Sequence, residues 1–136
     1  MVDLPIFPDA VEEVRDWLVA NVDVPVFVKI LNDRTTPRGR QPKFVQLDLT
    51  GGRQANLVTD GARISFQTWA PTKAEAHDLA QQVRHLVKML PQERGPVRKV
   101  TEMSGPVDFP DPLTDSERFQ FVLNVFTRGA AQALGS

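Results

Sequence analysis

The chain has 136 residues, with 16 Lys and Arg against 17 Asp and Glu, 41% hydrophobic residues and no Cys. That length supports one domain around one core, and the balanced charge excludes a bulk electrostatic drive towards nucleic acid or an anionic membrane. The lack of Cys excludes a disulfide framework, a thiol nucleophile and a thiolate zinc site.

The opening, MVDLPIFPDA, has no basic start and is broken by prolines, so it does not read as a signal peptide. No apolar run approaches the roughly 20 residues that cross a bilayer. The expectation is a product of the cytoplasm with no membrane role.

Asp9 is placed to cap a first helix, with Glu12 at the third helical position. Val11, Val14, Leu18 and Val22 form its apolar stripe, Trp17 borders it, and the pattern fades near Asn21. VFVKI, after Pro25, reads as a strand with Val26, Val28 and Ile30 on one face and Phe27 on the other. LNDRTTPRGRQP follows as a long polar connection. FVQLDLT is a second strand, with Val45, Leu47 and Leu49 inward and Gln46 and Asp48 outward, and Gly51-Gly52 is expected to end it. RQANLVTDG is then a second long connection, or the tip of an extended hairpin.

The strongest organising stretch runs from Ala62 to Leu90. Ile64, Phe66 and Thr68 alternate with Arg63, Ser65 and Gln67, which predicts a strand with one buried and one wet face. Pro71 has no N–H for a ladder and ends it. Thr72 and Glu75 form a capping box, and the period changes to 3.6. Ala76, Leu79, Ala80, Val83, Leu86, Val87 and Leu90 share one stripe of a second helix, which Pro91 stops.

QERGP is a turn, and VRKVTEMSG is a weakly amphipathic strand suited to a sheet edge. GPVDFPDPLTDSE reads as a loop. RFQFVLNVF has Phe119, Phe121, Leu123 and Val125 on one face, and Val122 and Phe126 make the other partly apolar, so it belongs inside the sheet. Residues 130–136 are expected to be a flexible tail. The whole, residues 1–136, is predicted to be a single α+β domain: a mixed, mainly antiparallel sheet of about five strands with two helices packed on one face.

No catalytic, cofactor or metal site emerges. His77 and His85 are eight residues apart on one helix, whereas helical metal pairs sit three or four apart. Asp108, Asp111 and Asp115 are interleaved with prolines, which is ordinary turn chemistry. Ser104 and Ser116 have no histidine placed by a nucleophile motif. Gly51-Gly52 is not followed by the Gly-Lys-Ser/Thr of a phosphate loop. The expectation is therefore no enzyme and no cofactor.

Connections longer than about 12 residues are commonly functional, so the long polar segments are the candidate contact surfaces. Arg34, Arg38, Arg40 and Lys43 make the one local basic run, read either as a contact for phosphates or an acidic partner or as a solvated loop. Arg53, Asn56 and Asp60 mark the second connection. The segments Asn32–Pro42 and Gly51–Gly61 are expected to project from one face.

The ordered set FPDAVEEVRDWL, PKFVQLDLTGG, ARISFQTWAPTKAEAHDLAQQVRHL and VTEMSGPVDFPDPLTDSERFQFVLNVFTRG spans Phe7 to Gly129. It resembles the tail terminator (tail completion) proteins of long-tailed bacteriophages, especially those infecting actinobacteria. The resemblance implies a hexameric ring at the virion's tail–neck junction, made in the host bacterial cytoplasm. Such a ring caps the tail tube, ends its polymerisation and presents a surface to the head connector. Its partners would be copies of itself, the major tail tube protein and the head-closure or connector protein, with genomic DNA passing through the lumen without sequence-specific binding. The family offers no catalytic residue to carry over. Two alternatives stay open: a head-closure or head–tail adaptor protein of the neck, and a small ligand-binding α/β module.

Overall fold

The structure is a computed structural model that describes residues 5–6, 9–28, 43–56, 59–108, 117–128 and 130–131. It contains β1 (Pro5–Ile6), α1 (Ala10–Asn21), β2 (Val26–Val28), β3 (Phe44–Asn56), β4 (Thr59–Ala70), α2 (Lys73–Met89), β5 (Val97–Asp108), β6 (Glu117–Arg128) and β7 (Ala130–Ala131). Five strands form one sheet in the order β2-β3-β4-β6-β5, and β1 pairs with β7 in a separate two-stranded ladder. Within the five-stranded sheet only β2 and β3 run parallel. This is the predicted α+β class with a mixed, mainly antiparallel sheet.

Both helices start where the sequence places their caps. Asp9 Oδ1 accepts from the backbone N–H groups of Val11 and Glu12, at 3.0 and 3.3 Å. Thr72 Oγ1 accepts from Glu75 N–H at 3.2 Å and donates to the Glu75 carboxylate at 3.1 Å, so the box closes through the hydroxyl. Replacing Thr72 by Ala leaves the Glu75 N–H without its acceptor and is expected to cost about 1 kcal/mol. Urea unfolding checks this, and Thr72→Ser should recover most of the loss.

The helices pack on one face of the sheet. Val14, Leu18, Ala76, Ala80, Val83 and Val87 are fully buried against Val45, Leu47, Ile64, Phe66, Phe121, Leu123 and Val125. Ala76 and Ala80 let α2 approach the strands closely, and the buried Thr68 hydroxyl is satisfied by donating to Ala76 C=O at 3.0 Å. The last turn of α2 tightens into a 3-10 segment, Leu90–Glu93, around Pro91. There the Leu86 carbonyl accepts the Trp17 indole N–H at 2.8 Å, which joins the two helices.

Several expectations are corrected. Gly51-Gly52 does not end its strand: β3 continues to Asn56 and pairs with β4 out to Thr59, so residues 51–56 and 59–61 lie on the arms of an extended hairpin, the second of the two forms expected for this segment. A register shift between Leu49 and Gly51 absorbs the glycines as a bulge. Leu49, expected inward, is 61% exposed, because β2 pairs only as far as Leu47 and the core ends there.

The start of the expected loop, Gly105–Asp108, is instead strand, since β5 runs to Asp108. Shifts between Glu102 and Ser104 and between Ser104 and Val107 accommodate Pro106 on this outer strand, where a missing N–H costs no ladder bond. Beyond β6, Ala130 and Ala131 pair with Ile6 and Pro5 rather than lying wholly in a free tail. Neither short strand has a pattern long enough to be seen in sequence.

Candidate interaction surface

The helix-free face of the sheet departs most from the sequence reading. Alternation places Phe44, Gln46 and Asp48 of β3, Arg63, Ser65, Gln67 and Trp69 of β4, and Arg118, Gln120, Val122 and Asn124 of β6 on it. Alternation predicts a wet surface here for β4 and for Gln46 and Asp48 of β3. Instead Phe44 and Trp69 are each 1% exposed, Gln46 2% and Ser65 3%, and solvent returns further along at the exposed Arg63.

Register explains the burial as cross-strand rows. Phe44, Trp69 and Arg118 stand opposite one another on three adjacent strands. The Phe44 and Trp69 rings stack at 4.6 Å, Phe27 meets Phe44 edge-on at 5.7 Å, and the Arg118 guanidinium lies 5.2 Å from the Trp69 ring centre. The large flat groups cover one another's faces, as offset aromatic and cation–π pairs do.

The next row is Gln46, Gln67 and Gln120. Gln46 Nε2 donates to Asp48 Oδ1 at 3.1 Å, and Gln67 Nε2 donates to Asp48 Oδ2 and Gln120 Oε1, both at 3.3 Å. Gln46 Oε1, Gln67 Oε1 and Ser65 Oγ are buried without a hydrogen-bond partner among the described residues. At the outer side of this face Asn124 Nδ2 donates to Thr101 Oγ1 at 3.3 Å, and Val107 is exposed beside Gln120.

The sequence-predicted contact residues are not gathered here. Arg34, Arg38 and Arg40 lie outside the described residues. Lys43 is half-buried at the entrance to β3. Arg53, Asn56 and Asp60 sit on the arms of the hairpin, with Arg53 opposite Gly61, Asp60 opposite Gln54 and Asn56 opposite Thr59. Lys43 and Asn56 therefore flank the two ends of one strand, roughly 40 Å apart at about 3.3 Å per residue. A single small contact cannot hold both.

No family model matches the chain, and no curated protein matches it. His77 is exposed and meets the Phe119 ring edge-on at 5.1 Å, and His85 is also exposed. Asp108 pairs with Lys73 at 2.7 Å, while Asp111 and Asp115 lie outside the described residues. Among the described residues no group of three His, Cys, Asp or Glu side chains could hold a metal ion, and none of the helices is long and apolar enough to cross a membrane.

The sheet's outer strand is fastened to α2 by an ion cluster that sequence reasoning did not find. Glu102 of β5 accepts from the Arg84 guanidinium and, at 3.1 Å, from Lys88 Nζ. Hydrogen bonds from Arg84 first, then Lys88, pull the Glu102 carboxyl down to about 2. A carboxylate held below its unfolded value stabilises the fold above the unfolded pKa, and that contribution disappears as pH falls through the folded one. The window is therefore about pH 4.5 to 2. Because the Glu102 side chain is 31% exposed, about 0.5–1 kcal/mol is a realistic contribution. Glu102→Gln is expected to lose that amount at pH 7 and to flatten the stability profile below pH 4.5. An unchanged acid limb would show that the cluster contributes nothing.

Proposed function

We propose that the protein is a structural virion component that assembles as a ring on the end of a bacteriophage tail tube, stops its growth and joins it to the head connector. The observation that carries this is the ordered sequence resemblance running from Phe7 to Gly129. The architecture is compatible in a specific way. Both helices occupy one face, and β2 and β5 are outer strands with one edge unpaired among the described strands. An open sheet of this kind offers two different edges, as a head-to-tail interface requires, and head-to-tail contacts close into rings when the rotation permits.

The partners under this proposal are further copies of the chain, the tail tube protein and a connector protein, with DNA only passing through. The direct test is to co-express the chain with the tail tube protein and image the tubes by cryo-electron microscopy. Rings seated on one tube end, with shorter tubes as the ratio of this chain rises, are the expected result. Tubes of unchanged length with bare ends would reject the proposal.

A further inference from the structure

The unpaired oxygens on the helix-free face point to a ligand independent of any ring. Asp48 is the organiser. It is the one anion in the Gln46–Gln67–Gln120 row and its neighbours, and among the described residues it has no ion-pair partner. A carboxylate accepts and never donates, so it fixes the orientation of both amides beside it. Gln46 and Gln67 turn their NH2 groups towards Asp48 Oδ1 and Oδ2. Flipping either amide would set a carbonyl oxygen against the carboxylate. Their Oε1 atoms are thereby forced away from it, and both are buried without a partner among the described residues.

Ser65 stands directly opposite Asp48, one row from Gln67 on the same strand, and its hydroxyl is also buried and unpaired. Directly opposed residues have Cβ atoms about 5 Å apart, so Gln46, Gln67 and Ser65 are close neighbours on this face and form one small patch. Two of the three oxygens can only accept. Leaving buried acceptors unpaired is costly.

We propose that this patch binds a small monovalent cation of the alkali-metal class. Gln46 Oε1, Gln67 Oε1 and Ser65 Oγ act as ligands, and Asp48 supplies the balancing charge through the amides. Hard cations take carbonyl and hydroxyl oxygens. Asp48 polarises each amide through its N–H and so strengthens the carbonyl as an acceptor. The single carboxylate balances one positive charge, whereas a divalent ion would leave an excess in a buried site. Asp48, Gln67 and Gln120 are only half-buried, so the site has an approach from solvent.

The test is thermal unfolding of the full chain at one ionic strength in sodium, potassium, calcium or tetramethylammonium chloride, tetramethylammonium being too large to enter. A ligand that binds only the folded state raises the midpoint. The expected shift is about 3–8 °C in sodium or potassium relative to tetramethylammonium. It should vanish in Gln46→Met, which keeps the shape and removes the oxygen, and shrink in the milder Ser65→Ala. Equal midpoints in all four salts would overturn the proposal, with water or strain accounting for the oxygens. A shift produced by calcium alone would overturn the monovalent assignment. A shift that persists undiminished in both variants would overturn the site. If Gln46→Met does not fold, Ser65→Ala and the wild-type comparison decide.

Discussion

Replacing Phe121 by Ala is expected to lower the unfolding free energy by about 3–5 kcal/mol. Phe121 is fully buried at the middle of β6, an inner strand hydrogen-bonded on both sides. Its ring stacks on that of Phe66, directly opposite on β4, with centroids 4.9 Å apart and planes 4° from parallel. Above the pair lies the apolar stripe of α2. Truncation removes the burial of one aromatic and strips the partner ring of its neighbour, and paired inner strands have little freedom to collapse into the space. A chain of this size is stable by about 5–15 kcal/mol, so this one change takes a large share of it. Urea denaturation should show a lower midpoint at an unchanged slope. The double variant Phe66→Ala with Phe121→Ala should cost less than the sum, by about 0.5–1.5 kcal/mol. Strict additivity would mean that the stacking contributes nothing beyond burial.

Trp69→Ala is expected to cost a similar 3–5 kcal/mol, although Trp69 lies on the face that alternation marks as wet. It is 1% exposed and sits between Phe44, stacked at 4.6 Å, and Arg118, whose guanidinium is 5.2 Å from its ring centre. Trp69→Phe keeps the stack but weakens the cation–π contact, and should cost about 1–2 kcal/mol. A loss below about 1 kcal/mol for Trp69→Ala, the scale of an ordinary surface change, would show that this second buried layer is not a stabilising one. The two tryptophans, Trp17 and Trp69, make fluorescence a direct readout, since only Trp69 reports on this face.

The helix-facing half of the molecule was legible because its code is local. Asp9, Thr72 and Glu75 state where helices begin. Ala76, Ala80, Val83 and Val87 repeat at 3.6, while Phe119, Phe121, Leu123 and Val125 repeat at 2, and each pattern needs only its own segment. The helix-free face was not legible, because its meaning lies in register. Gln46, Gln67 and Gln120 are unremarkable polar residues in three separate strands, and they become a row only once Gln67 is set opposite both of the others. The same holds for Phe44, Trp69 and Arg118, and for Glu102 beside Arg84 and Lys88, which are far apart in the chain. The end of β3 is misplaced by the sequence for a different reason. Gly51-Gly52 is a strong break signal in isolation, but the ladder with β4 and a bulge at Leu49/Gly51 absorb it. Pro106 is a similar case on an outer strand.

The most direct test of the central claim is electron microscopy of particles made when this gene is deleted from its source phage. The proposal predicts overlong tails together with full heads that carry no tail. Tails of normal length beside leaking or empty heads, or normal infectious particles, would contradict it.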